Sequence, residues 1–167
     1  MRLDILPIRK AVGEAVSFDY MLALSELDLY GERPIPEPVH VSGFAQNRAD
    51  VYELHMDVEF TLRTRCARCL RELEIPLSYH VERPMADEVE NEDENDEIIL
   101  LESGVVDLDE IATETIVLEA DMSYLCDEDC PGLCPTCGAD LNEGPCGCNK
   151  PVDERFAALA ELLEKGK

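Results

Sequence analysis

LHMDVEFTLRTRCARCLRELEIPLSYHV, Leu54 to Val81, alternates apolar and polar residues on both sides of a cysteine pair. In the first arm Leu54, Met56, Val58, Phe60 and Leu62 are separated by His55, Asp57, Glu59 and Thr61, with Arg63 following. In the second, Leu73, Ile75, Leu77, Tyr79 and Val81 alternate with Glu74, Pro76, Ser78, His80 and Glu82. A period of two is that of a strand with one buried face, so the stretch reads as a long β-hairpin with Cys66-Ala-Arg-Cys69 at its tip. Matching the buried faces sets Arg65 opposite Glu72 and Arg63 opposite Glu74, as cross-strand ion pairs. Pro76 has no N–H to give a ladder, which marks the second strand as an edge or a bulged strand. Arg68 and Arg71 are left free at the tip. Two outcomes are open for them: contact with an RNA phosphate backbone, or solvation.

Upstream of the hairpin the pattern is weaker. Leu3-Asp-Ile-Leu-Pro and Ala15-Val-Ser-Phe-Asp-Tyr read as one or two strands around a turn at Gly13. Met21–Tyr30 has the composition of a short helix, stopped by Gly31 and by the extended conformation that Pro34, Pro36 and Pro38 impose. Val39–Ala45 then reads as a strand and Gln46–Asp50 as its turn. Downstream, DEVENEDENDE (residues 87–97) holds eight acids in eleven positions and is expected to be a disordered acidic loop. Ile98–Leu101 has the look of a short strand. Asp107 is placed to cap a helix whose spacing runs through Leu108, Ile111, Ala112, Thr115 and Leu118, with Glu110 completing the start. Pro151 and Asp153 open a last helix, with Phe156, Leu159, Ala160 and Leu163 on one face, expected to dock on the sheet. The fold class expected is α+β: an N-terminal antiparallel β-sheet or partly closed barrel with a long hairpin, then a helix, a Cys-rich zinc-binding loop and a C-terminal helix. The expected division is a β-rich domain over 1–83, the acidic loop over 84–97, and the helices with the cysteine loop over 98–167.

LCDEDCPGLCPTCGADLNEGPCGC, Leu125 to Cys148, packs six of the eight cysteines into twenty-four residues. Cys134-Pro-Thr-Cys137-Gly138 has the form of a zinc knuckle, two thiolates three positions apart with a Gly that lets backbone amides turn toward sulfur. Cys146-Gly-Cys148 supplies a second pair. Cys134, Cys137, Cys146 and Cys148 thus suit a tetrahedral four-thiolate site, closed to substrate water and therefore structural. A CxxC at a hairpin tip lacks the following helix that would activate a redox thiol, so Cys66 and Cys69 read as half of a second site, to be completed by Cys126 and Cys130. Iron–sulfur, redox and disulfide readings stay open beside zinc. The disulfide reading fits a secreted chain, but the first residues contain Arg2, Asp4, Arg9 and Lys10 and no apolar run of signal-peptide length. A soluble, cytoplasmic chain with reduced thiols is expected.

The chain carries 14 Lys and Arg against 38 Asp and Glu, a formal charge of −24. That charge is unevenly placed: residues 84–149 contain 20 acids and no Lys or Arg. Such a surface repels a phosphate backbone and attracts basic proteins. No segment approaches the roughly 20 apolar residues of a membrane helix, so no membrane partner is expected.

CARCL at 66–70, DLDEIATETIVLEA at 107–120, the cysteine block at 125–148 and DERFAALAELL at 153–163 resemble the bacterial and plastid YceD family, the large ribosomal RNA subunit accumulation proteins. The resemblance runs over roughly residues 50–163, and its most specific part is the cysteine block with Asn142 and Asp153-Glu-Arg155. It implies a role in accumulation of 23S ribosomal RNA and in large-subunit assembly, with the pre-ribosomal particle or its rRNA as partner. The residues themselves show no Ser-His-Asp order, P-loop or dinucleotide fingerprint. His55 and His80 fall on outward strand faces with no partner suggested. A non-enzymatic assembly factor is therefore expected. Beside it stand an acidic, zinc-binding holder of a basic large-subunit ribosomal protein and, third, a thiol redox protein.

Overall fold

The computed structural model describes residues 1–9, 12–49, 51–87 and 98–148. Among the described residues two compact units are present: Met1–Thr64 with Glu72–Met122, and Arg65–Arg71 with residues 123–148. The C-terminal helix expected from Pro151 and the acidic stretch after Asp87 lie outside the described residues.

The larger unit is sheet-rich. Strand β1 (Arg2–Asp4) precedes a single helical turn, α1 (Leu6–Arg9). Then follow β2 (Ala15–Leu22), β3 (Val39–Arg48), β4 (Val51–Arg65), β5 (Glu72–Ala86), β6 (Ile99–Leu100), β7 (Val105–Asp107) and helix α2 (Leu108–Glu119). One sheet has the order β2-β3-β4-β5-β6, and β1 pairs with β7 in a two-stranded sheet. The unit is mixed α+β, as expected.

Two parts of the expected sheet are corrected. It stays open among the described residues, since β2 stands at one edge and the two-residue β6 at the other. It is also not purely antiparallel, because β6 runs parallel to β5, Met85 beside Ile99 and Ala86 beside Leu100. A parallel return needs a connection of a dozen or more residues. The twelve positions between Ala86 and Ile99 supply that length.

The alternation in β4 is borne out by burial: Leu54, Met56 and Val58 are fully buried, and Phe60 and Leu62 nearly so. β5 buries Val81 and Met85 on the same principle. The ion pairs Arg63–Glu74 (2.9 Å) and Asp57–His80 (2.7 Å) fall on one antiparallel register between β4 and β5. No ion pair joins Arg65 to Glu72. Pro76 sits where β5 lacks a second neighbour among the described residues, since β6 pairs only with Met85 and Ala86. On the other side, Val39, Val41 and Ala45 of β3 complete the apolar layer. Helix α2 packs on β5 and β1 and buries Leu108, Ile111, Ala112 and Ile116. Its start is the expected one: Asp107 accepts a hydrogen bond from Asp109 N at 3.1 Å.

Two upstream segments differ from expectation. Met21 and Leu22 do not open a helix; they finish β2, opposite His40 and Val39. The chain then turns, with Tyr30 (φ 56°) and Gly31 (φ 87°) in the left-handed region between the bridged residues Leu29 and Glu32. Likewise Gln46, Asn47 and Arg48 are not a turn but the end of β3, opposite Glu53, Tyr52 and Val51. Asn47 is buried and its side chain donates to Ile8 O at 2.9 Å. Its backbone accepts from Gly13 N and donates to Glu14 O. Asn47, one of the polar residues that suggested a loop, serves as a clamp on the α1 segment. The histidines are also engaged: His40 contacts Asp19 and Glu59, and His80 contacts Asp57.

Candidate metal centre

The smaller unit is organised by cysteines. Residues 66–71 close the connection between β4 and β5: Cys66 N donates to Arg71 O at 2.8 Å, and Leu70 N to Cys66 O at 2.9 Å. Leu70 takes a left-handed φ of 62° to make that turn. Tyr124 lies along Cys66 in a parallel bridge, and Ala67 N donates to Tyr124 O at 2.9 Å. This brings Cys126 and Cys130 to Cys66 and Cys69. One sulfur from each of the four lies within 4.8 Å of the others. The Sγ–Sγ distances are 3.9 Å for Cys66–Cys130 and 3.6 Å for Cys69–Cys126. Both far exceed a disulfide bond of about 2.05 Å, and all eight cysteines are free.

The second cluster is Cys134, Cys137, Cys146 and Cys148, again within 4.8 Å of one another. Here the Pro-Thr-Cys-Gly turn behaves as its composition suggests. Gly138 N donates to Cys134 O and Cys134 N to Ala139 O, both at 2.8 Å, and Gly138 adopts φ 73°. Asn142, in the segment between Cys137 and Cys146, points its Nδ2 at Cys130 Sγ of the first cluster at 3.5 Å, and its backbone N donates to Asp140 Oδ1.

The electrostatics of both clusters suit a cation. Backbone N–H groups, that of Cys69 above all, bring the Cys66 thiol down to about 6. Those of Cys137 and Thr136 do the same for Cys134, also to about 6. Their neighbours move the other way: the Cys126 thiol, bonded to Cys130 and then buried, is pushed up to about 12. Cys148, bonded to Cys137 and then buried, is likewise pushed up to about 12. Four thiolates packed this closely cannot all ionise by themselves, and a bound divalent ion removes that conflict. Each set of four can hold a metal ion, and four sulfurs make a closed shell.

The tip arginines are placed differently from expectation. Arg68 is not free: its Nη1 donates to Cys130 O at 2.9 Å and to Glu128 O at 3.1 Å, while its own carbonyl accepts from Leu133 N. Gly132, at φ 74°, passes so close that a Cβ there would lie 2.9 Å from Arg68 O. Arg71 pairs with Asp140 at 3.5 Å. Arg65, expected to be paired, makes no ion pair among the described residues, whereas Arg68 is held by carbonyls and Arg71 by a carboxylate. Nothing in the spacing signalled Arg68 as a strut, because its acceptors are backbone carbonyls sixty residues away in sequence.

Fold and sites together define a class: an α+β protein with two four-cysteine clusters, each able to hold a metal ion. The chain matches the family described as large ribosomal RNA subunit accumulation protein YceD over residues 54–163, a span that includes every cysteine. It belongs to the YceD family. Among curated relatives, an uncharacterised protein of Mycobacterium tuberculosis (strain H37Rv) is 34% identical over 104 residues, covering 59% of this chain and 49% of the relative. The aligned part thus spans about half the length of that relative. YlbN of Bacillus subtilis (strain 168), also uncharacterised, is 27% identical over 174 residues, covering 99% of this chain and 98% of its own. The chloroplastic large ribosomal RNA subunit accumulation protein YCED homolog 1 of Arabidopsis thaliana is 31% identical over 61 residues, 36% of this chain and 19% of that protein. No solved structure matches. The family is named for accumulation of the large ribosomal RNA subunit, and no helix among the described residues is long and apolar enough to cross a membrane.

Proposed function

We propose that the protein is a non-enzymatic assembly factor of the large ribosomal subunit, acting in the cytoplasm to support accumulation of 23S ribosomal RNA, with structural zinc in both cysteine clusters. The observation that carries this reading is the family match over residues 54–163, which encloses both clusters. Four thiolates fill a tetrahedral shell and leave no position for a substrate water, which supports a structural ion over a catalytic one. The test is deletion of the gene followed by measurement of 23S and 16S rRNA and by sedimentation of the tagged protein. A lowered 23S to 16S ratio, with the protein migrating among large-subunit precursors, is expected. An unchanged ratio overturns the reading.

One observation favours a second reading, in which the factor acts by holding a basic large-subunit protein. Arg68 and Arg71 already bind carbonyls and a carboxylate of their own unit. An RNA phosphate at either would have to displace those partners, whereas the segment 84–149 offers 20 acids with no base among them. Its test is capture of basic ribosomal proteins by wild type and by a variant neutralised over 87–97. Weaker, less salt-sensitive capture by the variant supports it, and identical salt curves overturn it.

A further inference from the structure

Away from the cysteines, a different ligand set forms on the outward face of the sheet. The alternation that buries Leu54, Met56 and Val58 turns His55 and Asp57 outward on β4, and His80 and Glu82 outward on β5. Because Asp57 faces His80, the same register sets His55 opposite Glu82. One ligand atom each of His55, His80 and Glu82 lies within 4.8 Å of the other two. The two rings are held from behind. Phe44 stacks on His55 with centroids 4.7 Å apart and planes at 21°, and Gln46 Nε2 donates to His55 Nε2 at 3.1 Å, so that a metal at His55 must displace this amide or turn its oxygen to the ring. Asp57 Oδ1 is 2.7 Å from His80 Nδ1. In a neutral imidazole that contact makes Nδ1 the donor and leaves the lone pair on Nε2. A carboxylate behind a histidine in this way orients the ring and makes it a better metal ligand.

We propose that His55, His80 and Glu82 form a third metal site, taking a divalent first-row transition ion such as Zn²⁺ or Ni²⁺. Two imidazoles select such ions over Ca²⁺ and Mg²⁺, which prefer oxygen alone. Three protein ligands leave a coordination position for water or for an oxygen ligand from outside, unlike the closed thiolate clusters. The site is exchangeable: the His80 side chain is 57% exposed, and the residues that hold the sheet together lie on its other face. It does not depend on the functional reading above.

The test titrates Ni²⁺ into full-length protein, with the metal already present measured by elemental analysis, and follows the histidine side-chain signals by NMR. Calorimetry on the same samples gives the affinity. Broadening of the His55 and His80 signals ahead of all others is expected, with one equivalent of binding beyond the cysteine clusters. His80→Gln and Glu82→Gln should each weaken that equivalent at least tenfold, and Asp57→Asn by about 10–100-fold. Glu74→Gln, an outward acid on the same strand, should leave it unchanged. Broadening that begins elsewhere, or equal affinity in wild type and His80→Gln, overturns the proposal. Should a variant fail to fold by circular dichroism, the order of broadening in wild type decides alone.

Discussion

Asn47 shows how much one polar side chain carries when it is sealed in. Its amide bonds to Ile8 O, and its backbone to Gly13 and Glu14, with Asn47 and Ile8 themselves buried. Asn47→Ala leaves that carbonyl unpaired and should cost about 1–3 kcal/mol, read as a lowered urea midpoint with an unchanged m-value. His40 illustrates the exposed case. Its imidazole is raised above its ordinary range, first by the bond to Glu59 and then by that to Asp19. A raised folded value means that the charged form favours the fold. The stabilisation is fully present below the unfolded pKa of about 6.5 and is lost as pH rises through the higher folded value. His40→Gln should therefore be less stable than wild type in mild acid and equal to it in mild alkali. The gap should stay within roughly 1 kcal/mol and shrink with salt. Matched thermal melts across that pH range check the sign.

Among the elements, the β3–β4 ladder depends on a glycine. At Gly43, paired with Met56, a Cβ would stand 2.1 Å from His55 O. Gly43→Ala must push the two strands apart, a change that costs about 1–3 kcal/mol or more as overpacking. Hydrogen exchange should locate the loss in β3 and β4. The connection between β4 and β5 makes a sharper contrast, because its arginines look alike in sequence and differ in contacts. Arg68→Ala removes two bonds to the carbonyls of Glu128 and Cys130. It should speed metal release to a chelator by about 10-fold or more, the range expected of groups that hold metal ligands in place. Arg65→Ala, with no ion pair to lose among the described residues, should release metal at the wild-type rate.

For the molecule as a whole, the division into two compact units predicts how it comes apart. The larger unit has an apolar core of its own, with Leu54, Met56, Val58, Leu108 and Ile116 fully buried. The smaller one is held by short turns and eight sulfurs, and structural zinc supplies about 10–16 kcal/mol of apparent binding energy in such units. Elemental analysis should find two zinc ions per chain in the cysteine clusters. Chelation should then abolish amide protection over residues 65–71 and 123–148 while leaving β3 and β4 protected. Loss of protection throughout would mean that the metal holds both units.

The sequence by itself determined whatever depends on local period and spacing. A period of two buried one face of β4 whatever lay around it, and Asp107 capped α2 because the bond it makes reaches two residues along the chain. The Cys134-Pro-Thr-Cys137-Gly turn is local in the same sense. The association of Cys66 and Cys69 with Cys126 and Cys130 was legible as well, since a half-site demands its complement. Tertiary structure decided what depends on partners distant in the chain. Asn47 read as turn because its neighbours are polar, and the end of β2 as helix because Met21–Tyr30 has a helical composition, until burial and strand pairing outweigh local preference. Arg68 read as a free cation because no spacing rule reports a backbone carbonyl sixty residues away. His55 and His80 looked unpartnered in sequence. The register read from the alternation already set His55 opposite Glu82, but how near the side chains of β4 and β5 come on that face was decided by the tertiary structure.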